Sequence, residues 1–242
     1  MRATMGKLTL CVAAGLWAGA ALPLAVAAAQ NSVGGEAFGA SVNSAAAAQG
    51  KTPLAVLVPD SGVVTAEQPS LTVTTAVIGG VLAAGLLPGG TSGSSSTALS
   101  TGPLGSTSAG VVGENAASSE SNTVVQNVNI LSGVVTAKRV GANAASASNG
   151  IQATSNAAGS AIWDLAVNGV FMGDVQPAPN TKINVPGVGT VILNEQVPSG
   201  DGVHTSGLQV NMIHVLQLDP LTGAKTGDII VGSATSSVGF TR

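Results

Sequence analysis

The segments "LQVNMIHVLQL" and "AIWDLAVNGVF" alternate apolar and polar residues with a period of two. Past the N-terminal apolar run, no window sustains the three-to-four spacing of large apolar side chains that a long helix requires. That alternation confines the chain to strands. Leu208, Val210, Met212, His214, Leu216 and Leu218 share one parity and Gln209, Asn211 and Gln217 the other, which predicts a long strand with His214 on its core face. By the same rule Trp163, Leu165, Val167 and Phe171 lie on one side and Asp164 and Asn168 on the other. Trp163 is therefore expected in the core rather than exposed as a sugar-stacking platform.

Turn chemistry divides the remainder into short strands. In "NTKINVPGVGTVILNEQV" Pro186 presets one turn dihedral and Gly187 supplies the positive φ of a type II turn, giving a hairpin with arms Lys182–Val185 and Thr190–Val197. "DPLTG" at Asp219–Gly223 marks a further reversal before a closing strand in "DIIVGSATSSVGF". The hexapeptide "SGVVTA" occurs at Ser61–Ala66 and again at Ser132–Ala137, 71 residues later. Each copy follows an apolar strand, "TPLAVLVP" or "NTVVQNVNIL", so the Ser-Gly step is expected to turn or bulge the chain at one equivalent sheet position used twice. Two copies at so long a period do not make a solenoid.

Two segments, 88–122 and 141–161, are nearly all small and polar. They read either as linkers or as narrow strands of a closely packed sheet, and the strand reading avoids a very long structureless loop. The run Leu71–Leu87 carries three Thr and three Gly and reads as buried strands, not a membrane span. The fold class is all-β, with a single antiparallel β-sandwich-like domain over 30–242 and a β-helix as the alternative.

Residues 1–29 read as a signal peptide: Arg2 and Lys7, then the apolar run Leu8–Val26, then "AVAAAQ", with cleavage expected after Ala27 or Ala29. The run is long enough to span a bilayer if retained, but the small-residue site directly after it favours cleavage. Cys11 lies inside the run, so the processed chain is expected to be free of cysteine, without disulfides, thiolate metal sites or a cysteine nucleophile. Removing Arg2 and Lys7 leaves six Lys and Arg against 11 Asp and Glu, a formal net charge of −5, which argues against nucleic acid as a partner.

The chemistry-bearing residues are few and scattered. His214 reads as a hydrogen-bonded core histidine, which a bulge could turn outward, and Asp201 in "SGDGVHTSG" as the organiser of a turn rather than an acid–base or metal partner of His204. Asp164 and Glu195 would serve glycoside hydrolysis only if the fold brought them together. Zinc, EF-hand calcium, G-x-S-x-G and phosphate-loop patterns do not occur in the sequence. No catalytic, cofactor-binding or metal residue is assigned from these patterns.

The combination of "AFGASVN", "VQNVNILSGVVTAKRV", "APNTKINVPGVGTVILNEQ" and "GDIIVGSATSSV" resembles the bacterial choice-of-anchor P family and spans most of the processed chain. The resemblance implies an exported β-rich protein and brings no catalytic residues. "SSVGFTR" is followed by no second apolar segment, sorting motif or basic tail, a departure from the family's anchored members that leaves retention on the envelope or release open. The function expected is that of a non-enzymatic cell-envelope or extracellular structural or interaction protein, with envelope or matrix components or its own copies as partners. The alternative is a secreted polymer-binding protein or hydrolase.

Overall fold

The computed structural model describes residues 31–44, 54–60, 64–67, 70–78, 82–85 and 96–241. The expected signal peptide and Ser61–Val63 of the first SGVVTA copy lie outside them. Strands occupy most of the described chain: β1 (Ser32–Ser44), β2 (Leu54–Asp60), β3 (Val64–Glu67), β4 (Ser70–Ile78), β5 (Leu82–Gly85), β6 (Ser96–Ser100), β7 (Leu104–Val112) and β8 (Ala117–Ile130) form the first half. The second half is β9 (Val135–Ser148), β10 (Ala153–Asn156), β11 (Ala161–Val167), β12 (Val170–Val175), β13 (Thr181–Val185), β14 (Gly189–Gly200), β15 (Thr205–Leu218) and β16 (Lys225–Gly239). No helix among the described residues is long and apolar enough to cross a membrane.

Among the described residues the strands form two sheets. The first runs β13-β14-β15-β16-β1-β2, with β3 also on β1; the second runs β12-β11-β9-β8-β6-β5, with β10 on β9 and β7 joining β4 to β8. The pairings are antiparallel, which separates this architecture from the β-helix alternative. Val42, Val210, Met212, Val215, Ile229 and Val231 of the first sheet pack with Val125, Ile130, Val135, Val140 and Leu165 of the second in one apolar core. The chain is an all-β antiparallel sandwich.

The small-residue segments are strands where they are described. β7 and β8 alternate small residues between a buried and an outer face, and the core thins toward their paired ends. There the layer between the sheets is made of serine: Ser146 Oγ lies 2.7 Å from Ser236 Oγ of the opposite sheet, and Ser119 Oγ donates to the Gly34 carbonyl at 2.7 Å. Hydroxyls this close satisfy each other and let the sheets approach, where Val or Leu would hold them apart. Leu71–Leu87 likewise forms strands, β4 and β5, over its described part.

Both turns read from sequence are present. The Val188 N–H donates to the Val185 carbonyl at 3.1 Å across Pro186 and Gly187, whose φ is 75°, and β13 pairs with β14. At Asp219–Gly223 the Asp219 carboxylate accepts the Leu221 and Thr222 N–H groups, and β15 pairs with β16. The two SGVVTA copies, however, do different work. Ser132 and Gly133 of the second copy, both at positive φ, belong to a 3₁₀ turn that reverses β8 into β9. In the first copy β2 and β3 both lie along β1, with Asp60 opposite Phe38 and Val64 opposite Gly35, so the chain keeps its direction and gains one residue on its partner. The described parts of the two copies therefore take different sheet positions, Val64–Ala66 against β1 and Val135–Ala137 against β8.

The strict parity reading fails at one place in each sheet. In β15 the buried set changes from Leu208, Val210 and Met212 to Ile213, Val215 and Gln217. Left-handed residues flank the change: Asn194 on β14 has φ 50° and Gly232 on β16 has φ 72°. Such a residue breaks the pleat of its own strand, and β15, which carries none, changes face at Met212, opposite Asn194 and Gly232. His214, with Leu216 and Leu218, is thereby carried off the core face. In the second sheet Asn127 on β8 and Asp164 on β11, at φ 48° and 50°, do the same on either side of β9. Leu165 and Val167 remain buried, while Trp163 turns outward beside Asp164. Phe171 is not on that strand at all: Asn168 and Gly169, both left-handed, close a two-residue hairpin after Val167, and Phe171 lies exposed on β12.

Candidate functional site

Where the second sheet's pleat is reset, consecutive residues reach the same surface. Gln126 and Asn127 of β8 and Lys138 and Arg139 of β9 are exposed as adjacent pairs, and Trp163 and Asp164 of β11 accompany them. Gln126 is opposite Arg139 and Arg139 is opposite Trp163, so three strands present one continuous row. With Asp174 of β12 and Val124 these residues line a cleft of about 600 Å³ on the outer face of the sheet. The Arg139 guanidinium sits 4.5 Å from the Trp163 ring centroid, a cation–π contact. The indole reaches over Gly141 of β9, where an added Cβ would lie 3.3 Å from the ring. Trp163 is therefore a surface side chain with an ordered seat.

The polar groups around the indole are unevenly used. Lys138 Nζ lies 3.8 Å from Asp164 Oδ2, an exposed pair of small energetic weight, and the Asp164 N–H donates to Asp174 Oδ1 at 3.0 Å. The side-chain amides of Gln126 and Asn127 make no hydrogen bond among the described residues, and Arg139 makes no ion pair there. Two cations face two carboxylates, so the cleft is electrically balanced and rich in free donors and acceptors.

The corresponding place in the first sheet is bridged by side-chain hydrogen bonds. Glu195 Oε2 of β14 accepts from Asn211 Nδ2 at 2.7 Å and from His214 Nδ1 at 2.8 Å, and Asn211 Oδ1 accepts from Ser233 Oγ at 2.7 Å. His214 Nε2 is 3.8 Å from Asp228 Oδ2, too long for a hydrogen bond, and is buried without a hydrogen-bond partner among the described residues. Lys225 Nζ neutralises the other Asp228 oxygen at 3.1 Å. The hydrogen-bonded structural role expected of His214 holds, on the outer face of the sheet instead of the core. This network ties three strands together.

Asp201 organises its turn. One carboxylate oxygen accepts the Val203, His204 and Thr205 N–H groups at 2.9, 2.9 and 2.7 Å, and these bonds, led by Thr205, hold its carboxyl well below the usual carboxylate range. His204 Nδ1 is 3.7 Å from the other oxygen. Asp164 and Glu195 stand on different sheets, each on an outer face, so the fold does not bring them to one bond. Among the described residues no three His, Cys, Asp or Glu side chains converge as metal ligands.

Five residues of the cleft, Gln126, Asn127, Lys138, Arg139 and Asp174, escaped the sequence reading. The signal for the first four was the adjacent polar pairs "QN" and "KR" interrupting otherwise regular alternation; Asp174 had none. Fold and site together define a β-sandwich with a balanced polar cleft around one tryptophan. Comparison with family models, curated proteins and solved structures finds no match to this chain.

Proposed function

We propose that the chain is an exported, non-enzymatic structural or interaction protein of the bacterial envelope or extracellular space, akin to the choice-of-anchor P family, which assembles with its own copies through β12. The observation carrying this reading is the state of that strand. β12 ends its sheet with β11 as its one neighbour among the described residues, and Val170, Phe171 and Met172 are 66%, 68% and 41% exposed. Three consecutive large apolar residues on an edge with unpaired backbone groups form a template for another strand. A second copy suits it. Antiparallel pairing about Phe171 sets Phe171 on Phe171 and Val170 on Met172, and brings Asp174 against Asn168 with no like charges opposed. The leader pattern supports export, and the commitment of Asp201, Glu195 and His214 to hydrogen bonds within the scaffold supports a non-enzymatic role.

Sedimentation of the processed protein over a range of concentrations tests the assembly, with Met172→Lys placed to charge the edge. Self-association in the parent that the variant lacks is expected. A monomer at every concentration would end the proposal. Native protein in washed-cell, salt-released and supernatant fractions, with the N-terminus of each determined, tests export; an intact Met1 in every fraction would refute it.

A further inference from the structure

We infer that the cleft around Trp163 is a binding site for an uncharged glycan, presented as a polymer chain lying across β8, β9 and β11. Both sheets reset their pleat with left-handed residues, yet the polar side chains gathered there are bonded to one another in the first sheet and largely unbonded in the second. In the first sheet Glu195, Asn211, Ser233 and the Nδ1 of His214 are joined by hydrogen bonds, and of this group His214 Nε2 is the buried atom left without one. In the second, the same device delivers an indole, two side-chain amides and a guanidinium to a cleft of about 600 Å³ and leaves the amides without partners. Asn127 and Asp164 adopt left-handed conformations, at φ 48° and 50°, which cost backbone energy. Their effect is to place Asn127 beside Gln126 and Asp164 beside Trp163 on one face.

The ligand class follows from the chemistry of the lining. An anion would meet Asp164 and Asp174, and a cation would meet Lys138 and Arg139. Hydroxyl groups, which donate and accept, can use all of them: sugar hydroxyls donate to the carboxylates and accept from Arg139 and the amides of Gln126 and Asn127. The indole, seated over Gly141, supplies the apolar surface against which the C–H face of a pyranose packs. The cleft is open on the sheet surface and not enclosed, which suits a chain longer than itself.

Native gel electrophoresis of the full chain through gels containing hydroxyethylcellulose, mixed-linkage β-glucan, dextran or mannan, with polygalacturonate as the charged polymer, tests the site. Retardation by at least one neutral polymer, insensitive to salt, is expected. Trp163→Ala should weaken it by about tenfold or more, and Gln126→Ala with Asn127→Ala by a smaller factor. Far-UV circular dichroism checks that each variant keeps its strands, and Trp163→Phe provides a milder change should Trp163→Ala unfold. In a Trp17→Phe background Trp163 is the only indole, so its fluorescence should shift on adding the retarding polymer. Migration unchanged in every neutral polymer, retardation by polygalacturonate alone that salt abolishes, or retardation that Trp163→Phe and the amide variants leave intact would each overturn the assignment.

Discussion

Gly232 sits where the reset pleat leaves little room, and Gly232→Ala should destabilise the sandwich far more than a glycine replacement usually does. The residue sits at φ 72°, and a Cβ there would lie 2.9 Å from Val140 Cγ1 and 3.5 Å from Met212 Cβ. Placing an L side chain in the left-handed region costs about 1–2 kcal/mol. Crowding a methyl against the opposing sheet adds about 1–3 kcal/mol. The sum is about 2–5 kcal/mol, or roughly 4–20 °C in Tm for a chain of this size. Gly187 is the matched control: its φ is 75°, but nothing lies within 4 Å of its Cβ position. Gly187→Ala carries only the conformational cost, partly offset by a less free unfolded chain, and should cost about 1 kcal/mol. Urea unfolding followed by far-UV circular dichroism measures both. Because Val140 is the group struck, Val140→Ala should be less damaging in the Gly232→Ala background than alone. Equal costs for the two glycine variants, or strict additivity with Val140→Ala, would refute the view that the close approach of the sheets requires glycine at this position.

Three further outcomes follow from the polar groups. The Asp201 carboxyl is held below its ordinary range by N–H donors, so its contribution is present above about pH 4 and fades as pH falls toward its lowered folded-state value. Acid unfolding of the parent should therefore depend more steeply on pH below about 4 than that of Asp201→Asn, and identical pH profiles would contradict the turn's role. Ser146→Ala removes the hydroxyl between Ser155 and Ser236 and should cost about 1–3 kcal/mol in chemical unfolding, whereas an unchanged midpoint would mean the serine layer is not stabilising. Glu195→Ala strands Asn211 and His214 and should cost about 1–3 kcal/mol, while Asp164→Ala, in an exposed pair, should stay within about 0.5 kcal/mol; a reversed order in urea midpoints would show that the two networks have been weighed wrongly.

The strands, and much of their delimitation, were legible because the signals were local. Pro186-Gly187 fixes its turn through two backbone preferences that do not need the rest of the molecule, and the Asp219–Gly223 reversal rests on a carboxylate two and three residues from the N–H groups it accepts. The Asn168-Gly169 hairpin was equally local and was passed over because the apolar residues on either side of it happened to share parity. Asp201 was read correctly for the same reason, since its partners lie within four residues. Trp163 and His214 were placed on the wrong face because alternation was carried through left-handed Asp164 and past Met212, which lies between left-handed Asn194 and Gly232 of the neighbouring strands. Asn and Asp adopt left-handed conformations readily, but most in any sequence do not, and no neighbouring residue announces which will.

By itself, then, the sequence determined that this chain builds antiparallel strands of small and β-branched residues, and where several of them turn, since period-two alternation and turn dihedrals are properties of neighbouring residues. The tertiary structure decided which face of each strand is the core, what each SGVVTA copy becomes, and which polar side chains stand together. Those depend on pairing across strands distant in sequence: Gly232 meets Val140 of the other sheet, and Arg139 finds its indole on β11. Left-handed residues on neighbouring strands change the face of the strand between them, so local choices stabilised by distant contacts set the position of the site.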